Sequence, residues 1–243
     1  MTVHLKDFFK FYNPALQHHQ DAIEQLEGMM HPALKRDDSP WVVTWRNPPV
    51  STKTGVVNAD LLSRVTNYPA ESFDDDFCAD FNKLIEATGF SKNLTAFRIL
   101  LAQMLHETVG FKYMKEIGDD AYFTRMYEGR CGDLGNCHPG DGKKYPGSSA
   151  IQITGRHNFQ RASDYLRDNL GIDDPKIMEL GTSYTANKYP FLLCYAWIID
   201  NNYLEVCQTG DIKYSTKVLN GGYNGFDDRV AKYEICKREI VKL

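Results

Sequence analysis

The chain has 243 residues, 42% of them apolar and 25% charged, with a formal net charge of −4. This is the composition of a globular protein, not a disordered or fibrous one, and it offers no basic field to a nucleic acid. Apolar runs such as Phe191 to Ile199 stay well short of the ~20 residues that a membrane-spanning helix needs.

The N-terminal stretch MTVHLKDFFKFYN is charged and interrupted, unlike a signal peptide, so synthesis in a cytoplasm without an export address is expected. In NPALQHHQDAIEQLEGMMHPALK, Ala22, Ile23, Leu26, Met29 and Met30 recur at helical spacing until Pro32. The following RDDSPWVVTWRNPPVSTKTG is rich in Pro, Ser, Thr and Asp and reads as a linker around a short extended piece at Trp41 to Trp45. Residues 1–56 hold six basic and six acidic residues, so all of the net charge belongs to the remainder. They read as an N-terminal helical extension, and 57–243 as the domain proper.

From there helical signals are dense. Asn58 is placed to cap ADLLSRVT, and Ser72 to cap FDDDFCADFNKLIEATG, which Gly89 stops. NLTAFRILLAQMLHETVG follows. After an irregular stretch from about 117 to 150 come RHNFQRASDYLRDNL, YPFLLCYAWIIDNNYLEVC, DIKYSTKVLNGG and DDRVAKYEICKREIVKL. Strand-like alternation is scarce. The expected fold is mainly α, with a small irregular or β-containing loop region. An irregular stretch that long inside a compact domain points to function or to a wrong assignment. Of six cysteines, Cys78 and Cys194 sit in apolar helical patterns and fit burial. Cys131 and Cys137, beside His138, lie in a Gly-rich loop. Reduced thiols are expected there, with a local disulfide and a zinc pair as alternatives. No second ligand pair follows to complete a zinc site.

Glu107 stands in the last turn of an apolar helix that Gly110 stops. The partial negative charge of the helix end, with Met104 and Phe111 nearby, disfavours the ionised carboxylate. A protonated acid near neutral pH is what general acid catalysis of glycoside cleavage requires, although a lone Glu at a helix end is more often simply solvated. His106 and Glu107 also open an HExxH pattern, but no second His follows one turn later, so a zinc protease is excluded. No GxSxG elbow is present either. Glu116, nine residues on, supplies a second carboxylate, and the break at Gly110 lets the chain turn back. An inverting glycosidase needs the two about 6.5–9.5 Å apart, with a water between. Glu128, Asp119, Asp120 and Asp141 are rival second carboxylates.

LAQMLHETVGFKYMKE, LGNCHPGDGKKYPGSSAIQITGRHNF and LNGGYNGFDDR, in this order, resemble glycoside hydrolase family 19, in particular its phage endolysins and lysozyme-like enzymes. The resemblance covers 57–243. It implies a chitinase-like, lysozyme-like helical domain with a catalytic cleft, in which Glu107 is the general acid and Glu116 the base that orients the water. It also places Gln152, Thr154, Asn158 and Asn220 against substrate, and Arg229 behind the cleft carboxylates. Two departures stand out. Gly147-Ser148-Ser149 replaces a Gly-Arg-Gly-like run, removing a fixed positive charge, and Phe159 replaces the usual Tyr.

The expected activity is a muramidase: inverting hydrolysis of the β-1,4 bond of bacterial peptidoglycan by two Glu, in a phage product that degrades the host wall. No metal or organic cofactor is implied, and no nucleic-acid partner. A monomer is expected, acting on the wall after release, or carried on a virion through residues 1–56. The rivals are a lytic transglycosylase, which needs no base such as Glu116, a chitinase, and a non-catalytic wall-binding or virion structural protein.

Overall fold

The computed structural model describes residues 55–243. The expected N-terminal helix, the linker and the piece at Trp41 to Trp45 lie outside them. Helix α1 (Ala59–Thr66) starts where Asn58 accepts the Leu61 N–H at 2.8 Å. Helix α2 (Asp75–Ala87) is capped by Asp74, which accepts the Phe77 N–H at 2.8 Å. Ser72 therefore does not cap it. It ends a 3-10 turn, Ala70–Ser72, and the extended Phe73 carries the chain on to a carboxylate nearer the helix start.

Helix α3 (Leu94–Glu107) is capped by Asn93, and from Ala96 to Leu105 only Arg98 escapes full burial. A helix that is apolar on all sides has to be enclosed. The enclosing elements are α11 (Tyr203–Gln208), α12 (Ile212–Asn220) and α13 (Phe226–Glu239). Arg98 reaches the far end of α13, where its Nε donates to the Ile240 carbonyl at 2.9 Å and satisfies a group left free by the helix end. Beside α3, Phe77, Phe81, Phe97, Phe111 and Phe191 form an aromatic cluster. Phe81 stacks on Phe191 at 4.0 Å, and Phe111 meets Phe191 edge-on at 5.3 Å.

The stretch from 117 to 150 is not simply irregular. It holds α4 (Asp120–Tyr127), α5 (Cys131–Leu134) and α6 (Asp141–Lys144), helices of one or two turns that are too short to show a period. Polar side chains tie them together. Glu128 accepts the N–H groups of Gly140 and Gly142 at 2.6 and 2.7 Å. Buried Asp141 takes Arg156 on both oxygens, at 2.6 and 2.9 Å. Burial works against ionisation of Asp141, but Arg156 and the His138 N–H outweigh it and hold the carboxyl below its usual range. Cys131 and Cys137 form a disulfide, their Cα atoms 4.6 Å apart, which corrects the expectation of reduced thiols. The left-handed turn at Gly135 returns the chain within six residues. Cys78, Cys194, Cys207 and Cys236 are free and buried.

Helix α7 (Arg156–Leu170) follows, then α8 (Lys176–Leu180) and α9 (Thr182–Lys188), two short helices without a sequence signal. YPFLLCYAWIIDNNYLEVC divides into α10 (Tyr195–Asp200) and α11, because Asn202 takes a left-handed φ of 46°. Asp80 of α2 reaches across to this segment and accepts the N–H groups of Phe191 and Leu192 at 2.7 and 3.0 Å. Burial pushes its carboxyl up to about 7, against the lowering effect of those two bonds. Among the described residues there is no strand. Two isolated antiparallel bridges, Lys115 with Ser148 and Ser148 with Ile153, form the small β-like part.

Candidate active site

Glu107 is the last residue of α3. Gln103 lies one turn earlier, and residues four apart share a helix face. Arg229 of α13, fully buried, spans the two. Its Nη1 donates to Gln103 Oε1 and its Nη2 to Glu107 Oε1, the latter at 2.5 Å. Nε donates to the Asn224 carbonyl at 3.2 Å. Gln103 in turn donates to Thr216 Oγ1 of α12 at 2.9 Å. Glu107 therefore does not rest in purely apolar surroundings, as its sequence neighbours suggest. A buried cation backs one oxygen, while Oε2 has no hydrogen-bond partner among the described residues. Next door, His106 Nδ1 meets Asp228 Oδ2 at 2.6 Å, and its ring lies so close to Gly225 that a Cβ there would fall 2.1 Å from Cε1. NGGYNGFDDR thus serves the end of α3 through Gly225, Asp228 and Arg229 together.

After Glu107 the chain reverses through Val109, Gly110 and Phe111, all left-handed with φ of 52°, 73° and 69°. A β-branched residue in that region is strained and persists only where its surroundings hold it. Here the Gly110 N–H donates to Leu105 O at 2.7 Å, the Phe111 N–H donates to Thr108 Oγ1 at 2.8 Å, and the Phe111 ring is fixed in the aromatic cluster.

Glu116 lies at the end of this connector, in the bridge region. Its N–H donates to Gly147 O at 2.9 Å, and its Oε2 accepts the Gly147 N–H at 2.8 Å. Oε1 accepts the Tyr127 hydroxyl at 2.8 Å. Burial and this bond both push the Tyr127 phenol up. Position 147 is crowded: an added Cβ would come 2.5 Å from Gln152 Oε1 and 3.2 Å from Glu116 Cβ and would displace both side chains. The first residue of this run thus aims a backbone donor at Glu116, while Ser148 stands where the Arg is missing. Ser148 bonds Thr185 and Ser149 bonds Cys194, both in the interior. Phe159 is fully buried against Tyr145, so the lost hydroxyl falls in the core.

Gln152 borders Gly147, with Nε2 directed at the Tyr113 carbonyl at 3.3 Å. Thr154 Oγ1 donates to Gln152 O at 2.9 Å, and Asn158 Nδ2 to Thr154 O at 2.8 Å, so these groups are partly spent on their own backbone. Asn220 ends α12, exposed and without a hydrogen bond to either carboxylate. Of the rival carboxylates, Glu128 and Asp141 are consumed as described. Asp119 caps α4, and exposed Asp120 stands 3.9 Å from Lys143. Gln103, Tyr127 and Gly147 were not singled out as site residues by sequence. Only Gln103 leaves a trace, as a polar residue one turn before Glu107 in an apolar run.

Two cavities flank these elements, and neither includes Glu107 or Glu116. One of about 530 Å³ lies beside the connector, with Asp76, Lys112, Lys115 and Asn187 in its walls. The other, about 240 Å³, lies between α7 and α10 and includes Asn158.

No family model matches the chain. Over 111 residues it is 34% identical to a glycosyl hydrolase family 19 domain-containing protein of Haemophilus influenzae, covering 45% of this chain and 49% of that one. The chain thus spans about half the length of that relative. Among solved structures it is similar to chitinase C from Streptomyces griseus, with a TM-score of 0.55 at 16% identity over 76% of this chain and 92% of that one. A mutant of chitinase C gives a TM-score of 0.57 at 16% identity, over 78% and 94%. The described domain has a chitinase-like, mainly helical fold.

Proposed function

We propose that the chain is a glycoside hydrolase that cleaves the β-1,4 bond between amino sugars of bacterial peptidoglycan with inversion, Glu107 acting as general acid and Glu116 as general base. The observation that carries this reading is the contrast between two carboxylates joined by one hydrogen-bonded connector. Glu107 is braced on Oε1 by Arg229 and keeps Oε2 for a glycosidic oxygen. Glu116 has one neutral donor on each oxygen, Tyr127 and Gly147, and each oxygen keeps a further lone pair for a water. Protonation of the leaving oxygen by the first, with deprotonation of a water by the second, is the inverting route. Residues alone supply both steps. The fold likeness to chitinases supports a polysaccharide substrate, and it favours chitin as the second reading.

Clearing of purified cell-wall sacculi, with soluble chitooligosaccharides assayed in parallel, tests this. Glu107→Gln and Glu116→Gln should each lower wall turnover by about 10² to 10⁴-fold with unfolding unchanged, and azide should rescue Glu116→Ala with an inverted product. Full activity of Glu116→Gln, with anhydro-muramic ends in the digest, would assign a lytic transglycosylase instead. Turnover of chitin alone would move the substrate.

A further inference from the structure

The 240 Å³ cavity has an unusual lining for a protein crevice. On α7, Asn158 and Arg161 stand three residues apart on one face, and Trp197, Asp200 and Asn201 of α10 and the turn after it stand opposite. Trp197 is half-buried and fixed edge-on by Tyr203 at 5.1 Å. Asn158 and Asn201 each spend one amide N–H on the carbonyls of Thr154 and Trp197, both at 2.8 Å, which fixes the amide planes and leaves their side-chain oxygens as acceptors. An aromatic wall with fixed amide acceptors suits a sugar face with its hydroxyl and acetamido N–H groups.

Arg161 adds a charge. Its Nε donates to Asp200 Oδ2, its guanidinium lies 5.5 Å from the Tyr165 ring centre, and the Tyr165 hydroxyl donates to Asp200 Oδ1 at 2.6 Å. Each oxygen of Asp200 thereby has a donor and the guanidinium plane is held, while Nη1 and Nη2 have no hydrogen-bond partner among the described residues. That free edge is the fork that receives a carboxylate. The cavity also adjoins the elements that hold Glu116: Asn158 donates to Thr154 O, Thr154 Oγ1 donates to Gln152 O, and the Gln152 side chain lies beside Gly147, whose N–H donates to Glu116 Oε2.

We infer that this cavity is a distal sugar site on the same substrate path, in which Arg161 is the specificity-determining residue and pairs with a carboxylate carried on the O3 substituent of a muramyl sugar. The inference rests on the peptidoglycan reading and deepens it. Chitin has no such carboxylate. In wall glycan the group has two sources: the lactyl ether itself where the stem peptide has been removed, and the peptide's own carboxylates where it remains.

The test compares wild type with Arg161→Gln on three glycans: peptide-free strands, the same strands with their carboxylates converted to amides by carbodiimide and ammonia, and peptide-bearing strands. Arg161 is half exposed, so the variant should fold. On peptide-free strands its KM should rise about tenfold to a hundredfold with kcat little moved, and amidation should cost the wild type the same factor. A rise confined to peptide-bearing strands assigns the stem carboxylate as the source. An equal loss on amidated strands, or no loss on any, overturns the inference. Titration with N-acetylmuramic acid, followed by Trp197 fluorescence, reads the site without turnover. The shift should vanish in Arg161→Gln and be absent with N-acetylglucosamine. If wild type cleaves no strand yet shows that shift, the hydrolase reading fails and the site stands.

Discussion

The two carboxylates are held by different physics. Glu107 belongs to the helical hub, where side chains do the holding. Its partner is a buried guanidinium on another helix, and the partner's partner is a buried amide on its own helix face. Glu116 belongs to the region of bridges and short helices, where backbone does most of the holding: an N–H from Gly147 and a carbonyl for its own N–H, beside the Tyr127 hydroxyl, in a space kept open by the lack of a Cβ at 147. The hub should therefore fail in stability when a side chain is removed, and the bridge region should fail in geometry when one is added.

Arg229→Met should have the largest effect. It leaves buried Gln103 Oε1 and partly exposed Glu107 Oε1 without their donor, a cost at or below the about 3–5 kcal/mol of breaking a fully buried pair. A denaturation midpoint shifted by less than about 1 kcal/mol would break the contrast. Asp80 sharpens it next, since the hub hides a second charge there. Its carboxyl titrates near 7 in the folded chain and near 3.8 unfolded, so the folded state binds the extra proton between those values. The contribution of Asp80 to stability is then full below about pH 4, falls as pH rises to 7, and is flat above, a loss on the order of 4 kcal/mol. Asp80→Asn keeps a carbonyl oxygen for Phe191 and Leu192 but cannot titrate. It should flatten this part of the pH profile and be no less stable than wild type at pH 8. Gly147→Ala should cost less stability than Arg229→Met, about 1–3 kcal/mol from crowding, yet reduce glycan turnover out of proportion to it. Unchanged turnover would show that Glu116 tolerates displacement.

Legibility in the sequence follows the same division. In the hub, periodicity and caps suffice. Asn58 does cap α1, and the apolar run from Ile99 to Leu105 is the central buried helix. Ser72 misleads because a nearby Asp is the better cap and Phe73 intervenes in extended form. In the region from 117 to 150 the shape is set by pairs far apart in sequence, Glu128 with Gly140 and Gly142, and Asp141 with Arg156, and no window of local periodicity contains both members. Glu107 and Glu116 can be singled out as candidates from a helix stop, a carboxylate spacing and the order of motifs around them. Tyr127 and Gly147 cannot, because what they contribute is a hydroxyl and an N–H aimed across a fold.

The pairing of Glu107 with Arg229 also has a meaning in time. The two lie 122 residues apart in the chain. A ribosome makes the carboxylate, its helix and the whole bridge region before it makes the cation that braces the carboxylate. No nascent chain that stops before α13 can carry the complete arrangement, however well its earlier helices fold. A chain ended at Gly225 should accordingly lack wall-clearing activity, and supplying residues 226–243 as a separate peptide would show whether late arrival of this one helix is the step that arms the molecule.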